Sequence, residues 1–280
     1  MKYWGNNRVF HGHLIQINRL PAPMRMGLLI VVCSLLFATS LPSGQIVSKQ
    51  PAITSEAYAE SPVIVIGFVG GFIKRDNLVH SEVQLAARLR QEYPTGVNVE
   101  TFESYHRKEA RQRILETLDS HHTGAPSAEE KEKARIILYG HSWGGSEVVR
   151  LARALEKDGI PVLLTLQIDS VSKPGRNGTV IPANVARAVN FYQSHGLLRG
   201  DHDIRAADPA RTEIIGNFQF DYKKSSLRCS DYPWYDRIIT KAHTQIECDP
   251  IVWKQAESLI RSSLLPPRAQ SILTEDPLHF

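Results

Sequence analysis

Residues 135–158 confine the backbone more tightly than any other stretch of the chain. An apolar, β-like run, Arg135-Ile136-Ile137-Leu138-Tyr139, leads at once into Gly140-His141-Ser142-Trp143-Gly144 and then into a helix-like run from Gly145 to about Asp158. A strand that becomes a helix within five residues needs a very sharp turn, and the central residue of that turn takes a strained conformation. The residues two before and two after it must be small, so that strand and helix can pack without clashing. The pattern G-x-S-x-G meets both demands. It also holds the serine hydroxyl out at the carboxyl edge of a sheet, where a carbonyl can reach it.

The flanking segments repeat the same alternation. Pro62 to Val69 reads as a buried strand through Val63-Ile64-Val65-Ile66. Helical spacing of Val83, Leu85, Leu89 and Tyr93 predicts a helix over 80–93, stopped by Pro94. A strand over 97–102 and a helix over 105–120 follow, and Val162-Leu163-Leu164-Thr165-Leu166 is a further continuous apolar strand. Residues 170–212 mix Gly, Pro and polar side chains. They predict an excursion over the sheet edge, a cap or lid, with one helix near 183–193. A late strand over 212–220 and a helix opened by Asp249-Pro250 complete the pattern. Apolar strands alternating with helices predict the α/β class: a mostly parallel central sheet with helices on both faces.

The amino-terminal part is different in kind. Of the chain's 33 basic residues, Lys2, Arg8, Arg19 and Arg25 fall within residues 1–40, which hold no acid. The remainder is formally neutral, which argues against a nucleic-acid surface. The apolar run from Leu28 to Ala38 after Arg25 is too short for a comfortable membrane span and suits a signal-peptide core. Residues 1–40 are therefore expected to be a signal peptide or a membrane anchor, with membrane association through residues 24–41. Residues 41–60 are expected to be a disordered linker, and residues 61–280 the folded domain. The expected location is exported: periplasmic, extracellular or membrane-anchored. Of three cysteines, Cys229 and Cys248 lie in the folded part, where an exported protein would favour a disulfide; two free thiols are the alternative.

A serine hydroxyl needs a base, and the base needs an orienting acid. Of eleven histidines, His195, His202, His243 and the near-terminal His279 follow Ser142 in the chain. His243 lies just before the last helix and is the candidate base. Asp169, at the end of the strand 162–168, is favoured as the acid over Asp221, at the end of the strand 212–220. Two backbone donors must hold an oxyanion. Trp143 N–H is one candidate. The other comes from Gly67-Phe68-Val69-Gly70-Gly71, with Phe68 first and Val69 second.

These residues carry a resemblance. Residues 62–265 resemble the α/β-hydrolase fold superfamily in Gly67-Phe68 after a strand, in the turn 140–144, and in Asp169 and His243. The early placement of the acid is similar to that of pancreatic-type lipases, in which a Gly-Phe after the first strand carries an oxyanion donor. Ile66 departs from that group, where His commonly precedes the glycine. The resemblance implies a serine hydrolase that cleaves a carboxylic ester or thioester of a small-molecule or lipid-like substrate, with no cofactor. An acyltransferase with the same triad and a non-catalytic binding protein on the same scaffold are the rival readings. The intact set of Ser142, Asp169 and His243 argues against the second.

Other features are weaker. Residues 119–130 resemble a worn calcium loop but lack carboxylates at His121 and Thr123, so a polar surface loop is expected. No His/Asp/Glu set shows clear metal-ligand spacing, so no metal is expected. Asp76 and His80 read as a helix start with an exposed histidine. Tyr232, Trp234 and Tyr235 read as core or as the wall of an apolar pocket.

Overall fold

The computed structural model describes residues 62–264 apart from Pro174 and Arg176. The segments 1–40 and 41–60, and with them the expected signal or anchor and the linker, lie outside the described residues. In chain order the elements are β1 (Val63–Val69), α1 (Ser81–Glu92), β2 (Val97–Glu103), α2 (Arg107–Leu118), α3 (Ala128–Glu132), β3 (Arg135–His141) and α4 (Trp143–Lys157). They continue with β4 (Val162–Ile168), β5 (Val180–Ile181), β6 (Val185–Gln193), β7 (Arg205–Ala206), β8 (Glu213–Phe220), α5 (Trp234–Ile239), α6 (Lys241–Cys248) and α7 (Pro250–Leu264).

Six strands form one sheet in the order β2-β1-β3-β4-β6-β8, and every pairing is parallel. The order reverses between β1 and β3. In open α/β sheets a crevice forms at such a switch point, outside the carboxyl ends of the strands.

The period-2 alternation of the strands explains the layering. Val63 and Val65 of β1 and Ile137 and Tyr139 of β3 pack with Leu85 and Leu89 of α1 and with Trp253 and Ile260 of α7. Their neighbours Ile64, Ile66, Phe68, Ile136 and Leu138 face the other way, against Ile114 of α2 and Val148, Leu151 and Leu155 of α4. A sheet covered on both faces needs apolar residues at consecutive positions, which is why β1 and β3 read as unbroken apolar runs. Burying each of these Val, Ile and Leu side chains contributes about 1.5–3 kcal/mol.

The segment 183–193 departs from expectation. A helix is expected there, but the segment is β6, paired with β4 on one side and β8 on the other. Val185, Val189, Phe191 and Tyr192 suit a pleated position between two partners, and pairing on both sides outweighs the helix propensity of Ala186 and Ala188. The stretch therefore continues the central sheet. Among the described residues only the short β5 and β7 pair separately from it.

Cys229 and Cys248 form a disulfide, with Cα atoms 5.8 Å apart. It ties the carboxyl end of α6 to the loop before α5. In the calcium-like loop, the Asp119 carboxylate accepts the amides of Thr123 and Gly124, and Glu130 accepts those of Ser120 and Ser127. Its acids therefore serve the loop's own backbone.

Candidate active site

The turn after β3 is as sharp as its sequence requires. Ser142 has φ 56° and ψ −125°, a left-handed conformation that a non-glycine residue adopts only at some cost. Its amide donates to the Ile168 carbonyl at 3.0 Å, and its carbonyl accepts from Val171 at 3.0 Å. The serine is thus stitched to both sides of Asp169, at the end of the neighbouring strand.

The flanking glycines show why they are needed. A Cβ on Gly140 would lie 2.6 Å from the Gly144 carbonyl carbon, and one on Gly144 would press into the Phe68 carbonyl. Gly144→Ala is expected to push α4 off β1, lowering stability by about 1–3 kcal/mol and disrupting the turn. Urea denaturation with a parallel ester assay checks this, and a variant with wild-type stability and turnover would contradict it.

Asp169 is fully buried and also has a positive φ, 41°. Its Oδ2 lies 2.6 Å from His243 Nδ1. The Gln193 amide (3.2 Å) and the Gly200 amide (3.0 Å) donate to Oδ1, and Gln193 Nε2 donates to Oδ2 at 2.8 Å. Three protein donors besides the imidazole hold this carboxylate in one orientation. With Nδ1–H given to Asp169, His243 Nε2 is left as the acceptor.

The structure thus joins Asp169 to His243 and sets Ser142 beside Asp169. Among the described residues no hydrogen bond links Ser142 Oγ to His243. Such contacts are commonly loose without substrate and tighten when it binds. Asp221, the other candidate acid, is elsewhere: its side chain is 62% exposed and pairs with His195 at 3.1 Å. His243 sits on α6 rather than in a loop and is buried.

Trp143 is the first residue of α4, so its amide is one of the unpaired donors at a helix start, where the helix dipole also favours negative charge. The Trp143 ring is flanked by Phe72, edge-on at 5.5 Å, and by the Lys173 ammonium at 4.2 Å. Phe68, the first candidate for the second donor, belongs to the strand itself. It lies inside β1, opposite Gly140 and Phe102 on the two flanking strands, with its side chain sealed in the core. The Val69 alternative is the last residue of the same strand. The chain leaves the sheet only at Gly70, where an added Cβ would lie 3.0 Å from Ser142 Cβ. Gly70 opens a tight turn closed by Ile73 N–H to Gly70 C=O at 3.2 Å. The turn at Gly70 thus lies directly against Ser142.

Sequence reasoning missed Gln193, because its strand was read as a helix. It also missed a second buried polar cluster behind His243. The His141 ring lies 4.5 Å from the His243 ring, and His141 Nδ1 is 3.5 Å from Glu247 and 3.7 Å from Glu82. His80 Nδ1 contacts Glu247 Oε1 at 2.6 Å. His80 begins α1 as expected but is buried, with Tyr232 edge-on against its ring at 5.2 Å. Of the three aromatic residues before His243, only Tyr232 is in the core; Trp234 and Tyr235 are exposed. Burial, followed by the nearby Glu247 charge, drives Glu82 well above the usual carboxylate range, and burial lifts Glu247 to about 8. Burial likewise holds His141 well below the usual imidazole value.

No family model matches this chain, and no curated protein matches it. Among solved structures it is similar to a cutinase-like protein from Cryptococcus sp. at 11% identity and a TM-score of 0.37, covering 72% of this chain and 95% of that one. An acetylxylan esterase aligns at 12% identity and a TM-score of 0.34, over 73% of this chain and 100% of its own. A thioesterase from the prodiginine biosynthetic pathway in Streptomyces coelicolor aligns at 10% identity and a TM-score of 0.33, over 67% and 87%.

Proposed function

We propose that the chain is a serine hydrolase acting on a carboxylic ester or thioester. The observation that carries this reading is the sealed Asp169–His243 pair beside a serine held at positive φ. His243 Nε2 takes the Ser142 proton as Oγ attacks the substrate carbonyl. The tetrahedral oxyanion is held by Trp143 N–H and by an amide of the turn that opens at Gly70, in place of the Phe68 amide. Asp169 keeps the imidazole in the productive tautomer and stabilises it when protonated. The imidazolium then gives its proton to the departing alcohol or thiol, and water delivered through the same base releases the acid.

The intramolecular disulfide supports export to an oxidising compartment. The substrate proposed is a small-molecule or lipid-like ester. The test is hydrolysis of p-nitrophenyl esters of graded chain length, followed from the first turnover. Release of nitrophenol in a burst approaching one equivalent of enzyme, with a slower steady phase, is expected where deacylation limits. No release above the buffer rate for any ester would leave the non-catalytic scaffold as the better reading.

A further inference from the structure

Glu82 and Glu247 are brought together from opposite ends of the chain, Glu82 from the first turn of α1 and Glu247 from α6. They are 0% and 5% exposed, and among the described residues neither forms an ion pair with Lys or Arg. Two carboxylates facing each other in a dry interior are strongly unfavourable unless something neutralises them. His80, Glu82 and Glu247 each present a ligand atom within 4.8 Å of the others. The surroundings add a second, independent sign. Both Glu82 oxygens and both His141 ring nitrogens are sealed from solvent, and His141 is 2% exposed; apart from a Glu82–Glu247 contact that needs a carboxyl proton and the His243 backbone beside His141, no protein group among the described residues satisfies them. Buried polar atoms are normally paired, so an unpaired set converging on one spot needs an explanation.

We propose that His80, Glu82 and Glu247, with His141 as fourth ligand, form a closed zinc site. His80, Glu82 and Glu247 lie within range of one ion, and His141 would close in from the side of the two carboxylates. With metal–ligand bonds of about 2.0–2.1 Å, the ligands of a tetrahedral zinc lie about 3.3 Å apart. His141 Nδ1 is already 3.5 Å and 3.7 Å from the two carboxylates. The 2.6 Å contact between His80 and Glu247 has to lengthen as the metal replaces the shared proton. Two carboxylates and two neutral imidazoles around a dication leave the centre with no net charge. The mixed nitrogen and oxygen donors favour zinc over calcium or magnesium, which take oxygen. The site has no open position facing substrate, so its role is structural. It would cross-link the start of α1, the end of β3 and α6, and so fix the helix that carries His243.

The test uses the full chain purified after growth with added zinc, and again after growth with cobalt. About one zinc per chain by elemental analysis is expected, together with the intense visible absorption of four-coordinate cobalt. Glu82→Gln and Glu247→Gln should each weaken zinc binding at least about 100-fold, while Ser142→Ala should bind as the wild type does. Because a glutamine variant could fail to fold, the thermal midpoint of the wild-type chain is also compared with and without bound zinc, and a rise with zinc is expected. A wild-type chain with negligible zinc and no zinc-dependent rise would overturn the proposal and leave a shared proton between the carboxyl groups. Glutamine variants that hold zinc as tightly as the wild type would overturn it equally.

Discussion

Ser142→Ala is expected to lower kcat for a p-nitrophenyl ester about 10⁶-fold, the scale seen when a triad loses its nucleophile. The fold should not notice. Ser142 Oγ has no hydrogen-bond partner among the described residues, and the backbone bonds that hold the turn run from its amide to Ile168 and from Val171 to its carbonyl. Alanine keeps those bonds and the same β-carbon at the same positive φ, so stability should stay within about 0.5 kcal/mol of the wild type. Steady-state kinetics with a urea melt of the same preparation checks both halves. A variant that retained a tenth of the wild-type rate would mean that chemistry happens elsewhere. One that was both inactive and unfolded would mean that the turn depends on the hydroxyl for its structure.

Asp169→Asn should lower kcat about 10⁴-fold. The carboxylate faces donors only: His243 Nδ1–H, the amides of Gln193 and Gly200, and Gln193 Nε2. Asparagine must turn an NH₂ toward one of them. If that one is the imidazole, the ring flips to the other tautomer and Nε2 carries a proton it must not carry. If it is an amide, a buried donor is left unpaired, at about 1–3 kcal/mol of stability. Either outcome damages the site. Asp221→Asn is the matched control, since its side chain is exposed and its partner is His195. It should leave kcat unchanged. A large loss in Asp221→Asn together with a small one in Asp169→Asn would reverse the assignment of the acid.

Much of this arrangement is legible in the sequence, for identifiable reasons. The turn 140–144 is a local motif whose demands fall on five adjacent residues, so composition and spacing reveal it. The ends of β1, β3 and β4 are marked by long apolar runs, and a parallel sheet places the residues after such runs on one edge, which is how Ser142 and Asp169 come to be neighbours. The segment 183–193 is different. Its character as a strand comes from two flanking partners, β4 and β8, which a local pattern does not contain. Gln193 was hidden with it. The glycine-rich loop after β1 was found, but which of its amides faces Ser142 depends on the path of the turn at Gly70, which the apolar run does not contain. The cluster of His80, Glu82, His141 and Glu247 is the furthest from local signals. His80 and Glu247 are 167 residues apart, and only the packing of α1 against α6 and β3 unites them.

The decisive experiment is covalent labelling of the wild-type chain with a fluorophosphonate, with the modified residue located by tandem mass spectrometry. Convergence of positions 142, 169 and 243 on one reactive centre predicts a single adduct on Ser142 that His243→Ala slows by orders of magnitude. An unlabelled Ser142, or labelling that proceeds at the same rate without the histidine, would contradict it.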